Sequence, residues 1–198
     1  MGYGGGYNDG GARQLEMERQ ARENQGKEAI ANNFSQFDDA FYQRRANDYT
    51  KFALPQFSDQ FQKSRNSLAA SLARRGLLGG TADIQANSDL NKYAAGKQRE
   101  IADAAQGEAN KLRAQVESQR GEVTSQLLAT GDPIAAGNAA LSSAASLKRP
   151  SGFSSLGNLF SDWVDNWKAN QTARASDPST PALFSFGRSN RGNVSIVN

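Results

Sequence analysis

The chain has 198 residues, a net charge of +3, and no cysteine or histidine. Disulfides, thiolate metal sites and imidazole acid–base catalysis are therefore excluded, and so is a Ser-His-Asp triad. Only 37% of the residues are hydrophobic. We expect a helical structural protein and not an enzyme, because so few large apolar residues predict helices that bury their apolar stripes against partners or copies of themselves.

The N-terminal region changes character after its first few residues. Residues 1–11 are rich in glycine, which has high backbone entropy, so we expect a flexible arm there. Residues 12–31 are rich in Gln, Glu, Arg and Ala, and this composition favours a helix. Their apolar content is thin, so such a helix needs a partner to be stable.

Two further helices are predicted for 34–54 and 56–75, from aromatic and leucine side chains at helical spacing. Pro55 separates them. Proline removes a backbone donor and disfavours helical geometry in the residue before it, so we expect a kink or turn near Leu54. The predicted helix-packing stripe comprises Phe34, Phe37, Phe41, Phe52, Phe57, Phe61, Leu68 and Leu72.

Two arginine pairs lie on these helices. Acidic residues lie near Arg44 and Arg45, so we expect intrahelical ion pairs there. Arg74 and Arg75 come just before Gly76, where basic side chains suit the helix dipole and glycine suits a left-handed cap. The alternative for Arg74 and Arg75 is a contact with phosphate groups or an acidic partner.

The longest helix is predicted for 82–129, after a glycine hinge at 79–80. Its apolar stripe is rich in alanine, which allows close helix approach but buries little area. The spacing departs from a clean heptad, so we expect a helical hairpin or a ring assembly and not a parallel coiled coil. The stripe comprises Ile84, Ala94, Ile101, Ala105, Leu112, Val116, Val123 and Leu127.

A strong boundary at Gly131-Asp132-Pro133 ends the extended helical region of 12–131. Glycine ends one helix, aspartate caps the next, and proline suits its first turn. The short helix predicted for 132–147 has a face of small residues, and 148–152 is predicted to be a linker. The small face comprises Ala136, Ala140 and Ala144.

An amphipathic helix with both tryptophans of the chain is predicted for 153–170. We expect its apolar face to dock into a groove on a partner; the alternative is a membrane interface, where tryptophan is favoured. No segment approaches 18 consecutive apolar residues, so no transmembrane helix is predicted. Residues 171–198 are expected to be irregular. The predicted docking face comprises Leu156, Leu159, Phe160, Trp163, Val164 and Trp167.

Together these elements predict an all-α fold of extended helices and a helical hairpin, with one very long helix, a flexible N-terminus and an irregular C-terminal tail. No catalytic, metal-binding or cofactor-binding residue is predicted. Asp38 and Asp39 point in different directions on a helix, so we expect a solvated face and not a catalytic pair. The glycine run at 76–81 lacks the Lys-Ser/Thr ending of a P-loop.

Several of these segments resemble virion proteins of tailed phages. The most recognisable is Leu72-Ala73-Arg74-Arg75-Gly76-Leu77 with Gly80-Thr81, preceded by Phe37-Asp-Asp-Ala-Phe41-Tyr, Tyr49 and Leu54-Pro55-Gln56. The run from Leu127 to Pro133, before an Ala/Ser-rich helix, fits the same pattern. In size and layout the chain resembles the smallest internal virion, or DNA-ejection, proteins of short-tailed (podovirus-type) bacteriophages. The resemblance covers roughly 34–147 and leaves out the glycine-rich start and the double-tryptophan segment.

The resemblance implies a virion protein that oligomerises and helps to deliver the genome across the host envelope. The implied partners are copies of itself in a ring, other virion proteins (portal, tail or ejection proteins), and packaged DNA or the host membrane. The implied location is the virion, and the host cell envelope during infection. The alternatives are a head–tail or portal-associated structural protein that remains in the particle, and a scaffolding or coiled-coil adaptor absent from the mature particle.

Overall fold

In the computed structural model, which describes residues 9–149 and 152–176, every regular element is an α-helix. The all-α prediction is therefore confirmed, including one very long helix of 50 residues. Most of the predicted arm at 1–11 and of the predicted tail at 171–198 lies outside the described residues. The described parts, 9–11 and 171–176, are helical, so the predicted boundaries at 11 and 171 are wrong. The described helices are α1 (Asp9–Phe34), α2 (Asp39–Arg74), α3 (Thr81–Thr130), α4 (Pro133–Leu147) and α5 (Ser161–Ser176).

Helix α2 is a single helix where two were predicted. Pro55 lies inside it, so of the kink or turn expected near Leu54 the turn is wrong. Proline removes only one intrahelical hydrogen bond, and the residues around it are held by packing, since Ala53 and Phe57 are both buried. The predicted helix start at residue 34 is also wrong, because α1 continues to residue 34 and residues 35–38 separate it from α2.

The breaks between helices have local causes. Asp38 caps α2, because its Oδ1 accepts a hydrogen bond from the Phe41 N–H at 2.7 Å. Gly76 and Gly79 have positive φ angles of 66° and 75° in the turn between α2 and α3, a conformation that favours glycine. Gly131 also has a positive φ angle, 65°, in the turn before α4.

The structured chain divides into two compact units, each containing parts of α2 and α3. Unit 1 comprises Met1–Phe57 and Gly96–Leu156, and unit 2 comprises Ser58–Ala95 and Gly157–Asn198. Unit 1 has a core cluster drawn from α1 to α4, and alanine supplies six of its fourteen residues. That cluster comprises Ile30, Phe34, Phe37, Tyr42, Ala46, Ala105, Ala109, Leu112, Val116, Val123, Leu127, Ala136, Ala140 and Ala144.

This core corrects the expectation that the helices bury their stripes only against partners. Small residues let helices of the same chain approach closely: a Cβ added at Gly26 on α1 would lie 2.5 Å from Cδ1 of Leu127 on α3. A Cβ added at Gly137 on α4 would lie 3.5 Å from the Cβ of Ala29. Close approach of this kind replaces large side chains as the source of packing contacts.

The predicted stripe of α3 is buried except at one end. Ile84 is 70% exposed, so its assignment to the buried stripe is wrong. The same part of α3 is covered on its other side, where Ala86 and Leu90 are buried. Ile84 lies about 200° around the helix from Ala86, so it faces away from the buried side. The other seven members of the stripe are at most 5% exposed.

Replacing Gly26 by alanine tests the close contact between α1 and α3. Because the added Cβ would meet the fully buried Leu127, we expect Gly26→Ala to lower the free energy of unfolding by about 1–3 kcal/mol through overpacking. Gly121→Ala on α3 is the matched control, since nothing lies within 4 Å of its added Cβ. There alanine should raise the free energy of unfolding by about 0.5–1 kcal/mol. Thermal denaturation followed by circular dichroism measures both, and a stabilising Gly26→Ala would contradict the packing.

Candidate assembly surfaces

The carboxylates singled out in the sequence have separate structural roles. Asp38 caps α2, whereas Asp39 accepts a hydrogen bond from Arg113 on α3 at 2.5 Å. Within residues 9–149 and 152–176, no group of three or more His, Cys, Asp or Glu side chains could hold a metal ion. The described helices offer two kinds of surface, namely faces packed in the core and faces exposed to solvent.

The structure divides the predicted packing stripe between the two units. In unit 1, the Phe37 ring lies 5.7 Å from Phe34 and 4.9 Å from Phe41, in an edge-on arrangement with the latter. Phe57 is buried there as well and Phe52 is half-buried, while the remaining members, Phe61, Leu68 and Leu72, belong to unit 2. The stripe is therefore a structural core and not a surface open to partners.

Phe153 is a half-buried aromatic residue of unit 1 that the sequence did not single out. Its ring lies 5.1 Å from Tyr49 and 5.6 Å from Phe52, both on α2. The guanidinium carbon of Arg45 lies 3.9 Å from the ring centroid, within the range of a cation–π contact. The sequence contained one signal for this contact. Phe153 is a single large apolar residue in a Ser/Gly-rich stretch, which indicates that its side chain packs against another element.

The segment before α5 is irregular where a helix was predicted. Residues 152–160 contain no helix, so the predicted start of the tryptophan helix at 153 is wrong by eight residues, and α5 begins at Ser161. Glycine and serine disfavour helix here. The backbone N–H of Leu156 has no helical partner in this segment. In unit 1 it donates a hydrogen bond to Oε1 of Gln56 on α2 at 3.0 Å.

Arg45 pairs between helices and not within its own helix, contrary to the sequence expectation. Its Nη2 lies 3.3 Å from Oε2 of Glu108 on α3, and both side chains are largely buried. The pKa of Glu108 is lowered, mainly by the hydrogen bond from Lys111 at 2.9 Å. Burial is the next largest effect and opposes this shift, and the positive charges of Lys111 and Arg45 lower the pKa further. Ionised Glu108 therefore stabilises the folded state.

In unit 2 the predicted docking face is turned inward. Phe160, Trp163 and Trp167 are only 2–4% exposed, so in this structure the chain itself covers the face, and docking on a partner or a membrane stays a prediction. The Phe160 ring lies 5.8 Å from both Phe61 and Tyr93. The sequence showed that the face is apolar, but it did not show that the chain's own α2 and α3 supply the groove.

Polar side chains fix the start of α5 within unit 2. Gln60 Oε1 accepts a hydrogen bond from the Leu159 N–H at 2.7 Å, and Gln60 Nε2 donates one to the Gly157 carbonyl at 3.0 Å. Tyr93 donates its hydroxyl hydrogen to the Leu159 carbonyl at 3.2 Å. Leu156, Leu159 and Val164, the rest of the predicted docking face, are half-buried.

Arg74 and Arg75 are exposed at the end of α2. Arg74 Nη2 lies 3.2 Å from the Ser71 hydroxyl. The guanidinium carbon of Arg75 lies 6.0 Å from the Trp167 ring centroid. Both groups leave donors facing solvent, and the phosphate contact stays a prediction.

Two exposed faces of unit 1 carry large apolar side chains. On α1, Leu15 and Met17 are exposed in a stretch that has no buried residue from 11 to 25. On α4, Ile134 is 73% exposed and Leu141 is 58% exposed, although the opposite side of the helix is buried in the core. These faces are the best candidates in unit 1 for contact with other molecules.

No family model, curated protein or solved structure matches the chain. Among the helices of the described residues, none is both long enough and apolar enough to cross a membrane.

The charge cluster around Glu108 makes stability depend on pH. A lowered folded-state pKa stabilises the fold above the unfolded-state pKa, and this contribution disappears as the pH falls through the folded-state value. We expect Glu108→Gln to lower the free energy of unfolding by about 1 kcal/mol at pH 7, with a smaller difference from the parent protein near pH ~3. Glu100→Gln, in an exposed pair with Lys97 on the same helix, is the control. Urea denaturation across this pH range measures both, and a difference that grows on acidification would contradict the assignment.

Trp163 and Trp167 are the only tryptophans, so intrinsic fluorescence reports on unit 2. Gln60→Ala removes the hydrogen bonds to Leu159 and Gly157, and we expect a loss of about 1–3 kcal/mol in the free energy of unfolding followed by tryptophan emission. Gln62→Ala, at an exposed position two residues away, should leave the transition unchanged. Equal effects of the two substitutions would show that Gln60 does not hold the segment before α5.

Proposed function

We propose that the protein is a phage virion structural protein, an internal or ejection protein that oligomerises and helps to deliver the genome across the host envelope. It acts in this role without catalysing a reaction. The observation that carries the proposal is the alanine-rich packing of unit 1, in which six of fourteen core residues are alanine. Burial of an alanine contributes much less than burial of leucine or phenylalanine, so the helices separate and pack again at a modest cost in free energy.

Passage through a narrow conduit requires a chain that can be unpacked. A single α-helix with its side chains is about 10–12 Å wide, so separated helices pass where a folded unit does not. The chain has no cysteine, and no disulfide ties one helix to another. Local opening of weakly packed elements is the general route by which such a protein changes its packing.

The exposed faces provide the contacts that the proposed role needs. Leu15 and Met17 on α1, with the outward side of α4, would contact copies of the chain in a ring and other virion proteins such as portal, tail or ejection proteins. The exposed Arg74 and Arg75 would contact packaged DNA through its phosphates. Release of α5 from unit 2 would expose its buried tryptophans to a partner or to the host membrane.

The proposal is tested by the protein content of purified particles before and after genome release. We expect the chain in intact particles and its loss, together with the DNA, after release, with the portal protein as the internal reference that remains. An unchanged amount after release would favour a head–tail or portal-associated protein that remains in the particle. Absence from mature particles would favour a scaffolding or adaptor role, and either result would overturn the ejection proposal.

A further inference from the structure

The outward side of α4 has a regular pattern. Ile134, Asn138, Leu141 and Ala145 are all exposed and follow one another at intervals of four, three and four residues. Such spacing lines up side chains along one helix face, as in paired helices. We call these four residues the α4 outer face. From Pro133 to Leu147 the helix carries no charged side chain, although this face is open to solvent.

Charges of opposite sign mark the two ends of α4. Asp132 lies before the first turn, and its Oδ1 accepts hydrogen bonds from the N–H groups of Ile134 and Ala135 at 2.9 and 3.0 Å. Its exposed carboxylate keeps a second oxygen available for another donor. Lys148 and Arg149 follow the last turn and are also exposed. The helix is therefore negative at one end, positive at the other and uncharged between.

We propose that the α4 outer face binds the same face of a second copy of this chain, with the two helices antiparallel. In this arrangement Asp132 of each copy lies opposite Lys148 and Arg149 of the other, while Ile134 lies opposite the small Ala145. The central leucine and asparagine of the face then lie opposite one another, near the twofold axis. A parallel arrangement would place like charges together at both ends, and it would also align the two helix dipoles unfavourably.

Charge complementarity is what favours a second copy over another occupant. The face complements itself at both ends without any charge from elsewhere, whereas an anionic lipid surface would attract one end of α4 and repel Asp132 at the other. One face of a 15-residue helix is smaller than a standard interface of about 1,600 Å² in total, so the contact is weak and depends on concentration. It is also isologous and closes at two copies, so a ring needs a further surface.

This inference rests on the proposed function and deepens it, because it names one contact between copies of a protein that is proposed to oligomerise. Cross-linking tests it directly, because the chain has no cysteine and each single substitution introduces one thiol. Ile134→Cys and Ala145→Cys, distinguished by a mass tag, should form a mixed disulfide dimer under mild oxidation far more than either forms alone. Ile84→Cys, exposed in unit 2, sets the background. Two results would overturn the antiparallel pairing. One is disulfide dimers formed mainly between copies of the same variant, and the other is a yield of mixed dimer no higher than the yield for Ile84→Cys.

Sedimentation over a concentration series tests the energetics of the same contact. We expect Leu141→Lys to weaken dimerisation at least about tenfold, as expected for a charge placed in an uncharged interface. Leu78→Lys, at an exposed leucine in the turn before α3, should leave it unchanged. Asp132→Asn keeps the helix cap but removes the charge. It should weaken the dimer, and the dimerisation that remains should depend less on salt concentration. Circular dichroism checks that each variant is folded.

The outcomes separate this inference from the proposed function. A monomer at all concentrations, in a protein that still leaves the particle with the genome, would overturn the α4 pairing alone. Binding to vesicles of phosphatidylcholine and phosphatidylglycerol that requires Leu141, without the mixed disulfide, would also overturn the pairing and would identify the face as a membrane contact. A mixed disulfide in a protein absent from particles would leave the pairing intact and overturn the proposed function.

Discussion

Close approach between small residues is the constraint on which unit 1 depends. Gly26 brings α1 against Leu127, and the buried alanines of α4 bring that helix against the same core. Each contact buries little apolar area, so stability comes from the number and fit of contacts between backbones held close together. A larger residue at such a position would separate the helices and weaken the contacts along their length.

Arginine side chains over aromatic rings support this packing in both units. Arg45 lies over Phe153 and Arg113 over Tyr42 in unit 1, and Arg75 lies near Trp167 in unit 2. The planar guanidinium can stack on a ring while its donors still reach a carboxylate or solvent. Glutamine side chains of α2 accept hydrogen bonds from backbone N–H groups of the irregular segment at 152–160. These N–H groups lie outside any helix and therefore need such partners.

The exposed parts of the helices are stabilised without tertiary contacts of their own. At the start of α1, Arg19 pairs with Glu16 and Glu23 one turn away on either side, an arrangement that supports a solvated helix. On α4, one side packs into the core while the other presents Ile134 and Leu141. The described helices therefore complete a core of their own and still expose apolar faces.

Local physics in the sequence determined the helical class, the turn at 131–133 and the set of side chains that share each face, because these depend on neighbours within a few residues. Tertiary structure decided what covers each face. It carried α2 through Pro55, left Ile84 in solvent, turned Trp163 into the chain's own groove and gave Arg45 a partner on α3. Helical periodicity defines which residues lie together on a face, whereas the element that buries the face is fixed by contacts between residues far apart in the chain.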